Sequence, residues 1–78
     1  MLKHLEIFAK RLRDLRIGRN LFQGDVAVDL NISRQTISKY ELGDRQPDFD
    51  MLIIIADYYD VSIDYLLGRI SEKQFLRQ

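Results

Sequence analysis

The sequence predicts an all-α domain of five short helices. Three observations lead there. Apolar residues recur at three- and four-residue spacing, as in Leu5, Phe8, Leu12 and Leu15, the period of an amphipathic helix. Helix-starting and helix-stopping residues punctuate the chain at short intervals: Ser33, Asp48 and Ser62 before apolar runs, and Asn20, Asn31, Gly43 and Gly68 after them. With 78 residues, 46% of them hydrophobic and no internal repeat or linker, the chain has material for one core and no more.

The first helix is expected over about 5–19, its apolar stripe backed by Lys10, Arg11, Arg13 and Arg16. Asn20 follows as a left-handed cap, a conformation Asn tolerates better than most residues. The second helix runs over about 23–30 with Val26, Ala27 and Leu30 as its inner face. Its start is weak. Phe22 stands at the cap position with no acceptor in its side chain, and Gly24 costs about 1 kcal/mol against Ala. Asp25 partly offsets this through the helix dipole. Asn31 makes a sharp turn. The third helix is capped by Ser33, runs to about Leu42, turns Ile37 and Tyr40 inward, and is stopped by Gly43 and Pro47. A fourth follows Asp48 and buries Leu52, Ile55, Ala56 and Tyr59. The fifth is a turn or two between Ser62 and Gly68, packing Tyr65 and Leu66. Beyond it, Ser71 and Gln74 have the capping-box spacing, which allows a short sixth helix with Ile70, Phe75 and Leu76 as its apolar residues.

Composition removes several function classes. The chain has no Cys and a single His, so no disulfide framework, thiolate site or His-rich metal site is expected. The longest apolar run, Met51 to Ala56, is far short of the ~18 residues of a membrane span. The N-terminal stretch lacks the apolar segment and cleavage site of a signal peptide, so a cytoplasmic location is expected. The Asp48, Asp50, Asp57, Asp60 and Asp64 cluster does not match a calcium loop; Asp48, Asp57 and Asp64 read as caps or solvated charges. No nucleophile–base pair or phosphate loop is present, so no enzyme and no cofactor are expected. The net charge is zero, yet residues 1–47 hold nine Lys/Arg against six Asp/Glu, and residues 48–78 hold three against six. Steering of an anionic partner depends on such local fields rather than on the net value.

The stretch from Gln23 to Glu41 carries the chemistry. It reads as two short helices joined at Asn31. The second leaves Arg34, Gln35, Ser38 and Lys39 facing out once Ile37 and Tyr40 point in, with Ser33 and Thr36 at the edge. On an isolated helix these would be ordinary solvated side chains. Next to a second helix meeting it at a steep angle over a small residue, Ala27, they suit the DNA major groove: Arg forks onto guanine and Gln onto adenine.

Residues 12–16 (LRDLR), Gln23, Ala27, the LNIS spacing of 30–33, RQTISKYE at 34–41, Gly43, Pro47 and ADYYDVSIDYLLG at 56–68 together resemble the Cro and phage-repressor type of helix-turn-helix domain, the XRE family. The resemblance covers about residues 5–68 and implies a lambda-repressor-like fold. It implies that Arg34, Gln35, Lys39 and Ser38 read bases, while Gln23, Ser33, Thr36 and Arg45 hold phosphates. It also implies that Gln23 braces Gln35, and that Arg16 and Glu41 form a partly buried salt bridge. Arg11 and Arg19 are weaker phosphate candidates. Two departures stand out. The family usually has Ser or Thr where Phe22 stands and often Asn where Leu42 stands, so two polar backbone contacts are lost. Phe22 is left either to pack as a hydrophobic staple or to sit exposed.

A domain this small makes few base contacts, so a homodimer reading half-sites about 34 Å apart is expected. Its surface is sought away from the third helix, among Phe49, Ile53, Ile54, Tyr58, Ile63, Ile70, Phe75 and Leu76. The expected division is a DNA-binding domain over 1–68 and a dimerising extension over 69–78. The expected function is a sequence-specific regulator of transcription, a repressor, bound to double-stranded DNA with no membrane and no small-molecule effector. An antitoxin or adaptor, whose main partner is a protein, is the alternative. The apolar surplus of the fourth helix and the loss of polar residues at 22 and 42 favour it; Arg34, Gln35 and Lys39 favour the regulator.

Overall fold

The starts of three helices in this chain are set by the residue just before each of them. In the computed structural model, which describes residues 3–71, the helices are α1 (Lys3–Gly18), α2 (Gln23–Leu30), α3 (Arg34–Leu42), α4 (Phe49–Tyr59) and α5 (Ile63–Leu66). Ser33, Asp48 and Ser62 each accept a hydrogen bond from the backbone N–H three residues on, at 3.0, 2.8 and 3.0 Å. Each satisfies one of the amides that a helix leaves unpaired in its first turn. The stops are equally local. Asn20, Asn31 and Asp60 adopt φ of 59°, 57° and 54°, and Gly43 and Gly68 adopt 75° and 79°. Gly68 is required twice over, because a Cβ there would lie 2.7 Å from Ile7 Cδ1.

The start of α2 is firmer than the sequence suggested. Phe22 offers no side-chain acceptor, but the Asp25 carboxylate reaches back and accepts from the Phe22 N–H at 2.8 Å. This is one half of a capping box, with the acid at its usual third position.

The core is one cluster drawn from all five helices: Phe8, Leu12, Leu15, Val26, Ala27, Ile37, Tyr40, Ile55, Ala56, Tyr59, Val61 and Leu66. α3 sits against both α1 and α2, while α5 closes against α1 and α4. Leu52, expected inside, is only half-buried and packs at the edge of this cluster. His4 lies within α1 and its Nδ1 is 2.6 Å from the Leu67 carbonyl oxygen, so α1 begins earlier than the apolar stripe does. The expected sixth helix, with Phe75 and Leu76, lies outside the described residues, of which Ile70 is half-buried and Ser71 exposed.

α2 and α4 are joined by a hydrogen bond from the Tyr58 hydroxyl to Asp29 Oδ2 at 2.6 Å. Burial, then this bond to a carboxylate, pushes the Tyr58 phenol up to about 12. The unfolded chain releases that proton near pH 10. Stability from this contact is therefore full below pH 10 and lost as pH rises towards 12. Tyr58→Phe is expected to flatten the alkaline loss of stability over that interval, as read by urea unfolding at a series of pH values; an unchanged alkaline slope would count against it.

Candidate nucleic-acid interface

α3 is anchored on one side and bare on the other. Ile37, Tyr40 and Glu41 are buried. At 100° per residue, Gln35, Lys39 and Leu42 lie on the opposite side, with Ser38 and then Arg34 towards its Glu41 edge. Arg34, Gln35, Lys39 and Leu42 are exposed and Ser38 is half-buried. The turn presenting this face is short: the Ile32 N–H donates to the Ala27 carbonyl at 3.0 Å across the left-handed Asn31. Ala27, small and buried, lets the two helices approach. Among the described residues Arg34, Gln35, Ser38 and Lys39 make no side-chain hydrogen bond or ion pair, so the whole stripe is uncommitted.

The surrounding polar residues are more occupied. Ser33 Oγ lies 2.8 Å from Thr36 Oγ1 and also accepts the Thr36 N–H, so both hydroxyls sit together at the start of α3. Arg45 is exposed in the loop after α3. Gln23 is half-buried, and its Nε2 donates to Glu41 Oε1 at 3.2 Å. The brace from Gln23 to Gln35 is therefore not what this chain makes: the Glu41 carboxylate, with lone pairs left over, draws the amide instead. Among the described residues the backbone N–H groups of Gln23 and Gly24 have no acceptor at the start of α2, although the Asp25 carboxylate already lies against that end of the helix.

Beneath them is the strongest polar link in the fold. Arg16 Nε donates to Glu41 Oε2 at 2.7 Å and Arg16 Nη2 to Oε1 at 2.9 Å, a two-pronged pair, while Nη1 donates to the Leu21 carbonyl at 2.9 Å. The side chains are 11% and 2% exposed. The hydrogen bond to Glu41 and its charge hold the Arg16 guanidinium above its usual range against the opposing effect of burial. The pair fixes α1 to the end of α3 and so sets the pitch of the bare stripe.

Comparison with known proteins agrees with this geometry. A family model described as helix-turn-helix matches residues 12–66. The chain belongs to the XRE-type helix-turn-helix family. Relatives within it include an uncharacterized HTH-type transcriptional regulator, YqaE, of Bacillus subtilis, 43% identical over 70 residues, which cover 88% of this chain and 60% of that protein. The HTH-type transcriptional regulator ImmR of the same organism is 42% identical over 60 residues, 77% of this chain and 47% of its own. The cryptic phage CTXphi transcriptional repressor RstR of Vibrio cholerae is 33% identical over 62 residues, 80% of this chain and 56% of its own. The chain thus spans about half the length of the curated relatives it matches.

Within this helix-turn-helix domain two basic residues belong to the scaffold. Arg11 donates to the carbonyls of Tyr65 and Ile70, the latter at 2.8 Å, and lies 4.2 Å from the Tyr65 ring centre. Arg19 donates to the Tyr59 carbonyl at 2.6 Å, closing the C-terminal end of α4 where a cation is favoured. Both guanidinium groups, weaker phosphate candidates from the sequence, are held by backbone carbonyls. The spacing that would have revealed Arg19 is absent, because its acceptor lies forty residues away. Among the described residues no group of His, Cys, Asp or Glu is placed to hold a metal ion, and no helix is long and apolar enough to cross a membrane.

Proposed function

We propose that this chain is a sequence-specific DNA-binding regulator of transcription, a repressor, that works in the cytoplasm as a homodimer with α3 in the major groove. The observation that carries the reading is the bare α3 stripe. Arg34, Gln35, Ser38 and Lys39 face away from the core, without partners among the described residues, on a helix held from behind by the Arg16–Glu41 pair. Arg34, Gln35, Lys39 and Ser38 read base edges. Ser33, Thr36, Arg45 and the open amides beside Gln23 meet phosphates, which position the protein without carrying sequence information. The name of RstR supports repression.

Pairing fits the dimensions. The domain measures 32 × 28 × 23 Å, so two copies side by side bring their α3 helices roughly one DNA turn, about 34 Å, apart. The apolar side chains on α4, Phe49, Ile53 and Ile54, are exposed and are the surface proposed for that contact, with the 69–78 extension a further candidate; Tyr58 and Ile63 are half-buried. The same exposed residues favour the second reading, an antitoxin or adaptor whose main partner is another protein.

Selection of bound duplexes from a random pool decides between them. A palindromic site with half-sites one turn apart is the expected result. With Arg45 from each of two copies on a phosphate, log affinity should fall against log salt with a slope of about −2, a loss of about tenfold from 50 to 200 mM. No enrichment, or binding indifferent to salt, would remove the regulator reading in favour of the protein-partner one. Enrichment of single, unpaired half-sites would remove the homodimer alone.

A further inference from the structure

We infer that Phe22 and Leu42 form an apolar clamp on the deoxyribose rings of the DNA backbone, standing where the family's polar phosphate contacts would be. The inference rests on the DNA-binding reading above and adds to it two residues that no polar logic would select.

Phe22 is 79% exposed and Leu42 67% exposed. They flank one joint: Phe22 precedes Gln23, Leu42 follows Glu41, and the Gln23 amide bonds the Glu41 carboxylate at 3.2 Å. Two large apolar side chains therefore stand free on either side of the contact between the first turn of α2 and the last turn of α3. The register of α3 places the second of them on the DNA-facing stripe. Leu42 lies two i+4 steps beyond Arg34 through Ser38, about 12 Å along the axis. The major groove is itself about 12 Å wide. With the Arg34 end over base edges, the Leu42 end is at the groove wall, which is sugar and phosphate. Phe22 continues that wall contact on the α2 side.

Charge selects the sugar over the phosphate. The acid nearest Phe22 is Asp25, bound to the Phe22 N–H at 2.8 Å and lying at the positive end of α2. The acid nearest Leu42 is Glu41, whose charge is already matched by Arg16. Neither apolar side chain can give a hydrogen bond or a positive charge to a phosphate. The helix dipole that would attract an anion is partly answered by Asp25. An uncharged ring with apolar edges suits the two side chains, while the open Gln23 and Gly24 amides meet the adjoining phosphate oxygen. Burying apolar area in this way adds affinity that does not depend on salt and does not depend on base sequence.

The test is a salt titration of the full chain on its selected duplex and on a scrambled duplex, read by fluorescence anisotropy. The double variant Phe22→Ala with Leu42→Ala is expected to bind both duplexes about tenfold more weakly, with the slope of log affinity against log salt unchanged. Its melting temperature should stay near that of the parent, since both side chains are exposed. Phe22→Lys should steepen the slope by about 0.9 per copy, because it sets a cation where the backbone passes. The clamp is overturned if the double variant binds as the parent does, if its loss is confined to one duplex (which would assign Leu42 to thymine methyl groups), or if Phe22→Lys leaves the slope alone. A parent chain that binds neither duplex would instead overturn the regulator reading, and the clamp with it.

Discussion

Replacing Arg16 with Ala is expected to lower the unfolding free energy by about 3–5 kcal/mol. The reason is what it leaves behind. Glu41 is 2% exposed at its side chain and takes two of its hydrogen bonds from Arg16. After the substitution, among the described residues only the Gln23 amide remains, at 3.2 Å, and the Leu21 carbonyl also loses its donor. A buried carboxylate with one neutral partner is far costlier than the original pair. A domain of this length has a total stability of roughly 4–12 kcal/mol, so the variant should be close to unfolded at 37 °C. Arg16→Lys should fall between the two, since a point-like ammonium cannot make the paired bonds to Glu41 and reach Leu21 as well. Replacing both members, Arg16→Met with Glu41→Leu, should recover much of the loss, because no charge is then stranded. Urea unfolding of the parent and the three variants gives this ranking. A loss below about 1 kcal/mol for Arg16→Ala would show that the link contributes no more than a surface ion pair.

The same pair shows which parts of this fold were legible in the sequence. Caps and stops are decided by one residue and its neighbours within about four positions. Ser33, Asp48, Ser62, Asn20, Asn31 and Gly43 could therefore be assigned by type alone, and each behaves as assigned. Arg11 and Arg19 could not. Whether a surface Arg is solvated, meets a phosphate or caps a distant helix depends on where a carbonyl far along the chain comes to rest. Here those carbonyls belong to Tyr65, Ile70 and Tyr59. The bridge between Arg16 and Glu41 spans 25 positions, and only the family resemblance pointed to it. Gln23 shows the limit of such a resemblance. Its position carries over, but its amide turns to Glu41 rather than towards Gln35. Asp60 was readable in principle, because Asp tolerates the left-handed region. Its φ of 54° makes it a stop of the same kind as Asn20 and Asn31.

The second large effect concerns specificity rather than stability. Arg34→Ala should cost about 1–3 kcal/mol for each half-site on the selected duplex and far less on a scrambled one. Arg34 stands at the first position of α3, exposed and without a partner among the described residues. Its removal should therefore leave the melting temperature unchanged. That separates it from Arg16, whose loss is read in unfolding. It also separates it from Arg45 in the following loop. Arg45→Ala should weaken binding to every sequence by a similar factor and make the salt slope shallower by about 1 per copy. The distinction follows from what each group touches. A guanidinium that forks onto one base loses its value when that base changes, whereas one on a phosphate finds the same oxygen in any sequence. If Arg34→Ala instead weakened both duplexes equally and flattened the salt slope, Arg34 would be a backbone contact. Gln35, Ser38 and Lys39 would then have to carry the reading of sequence.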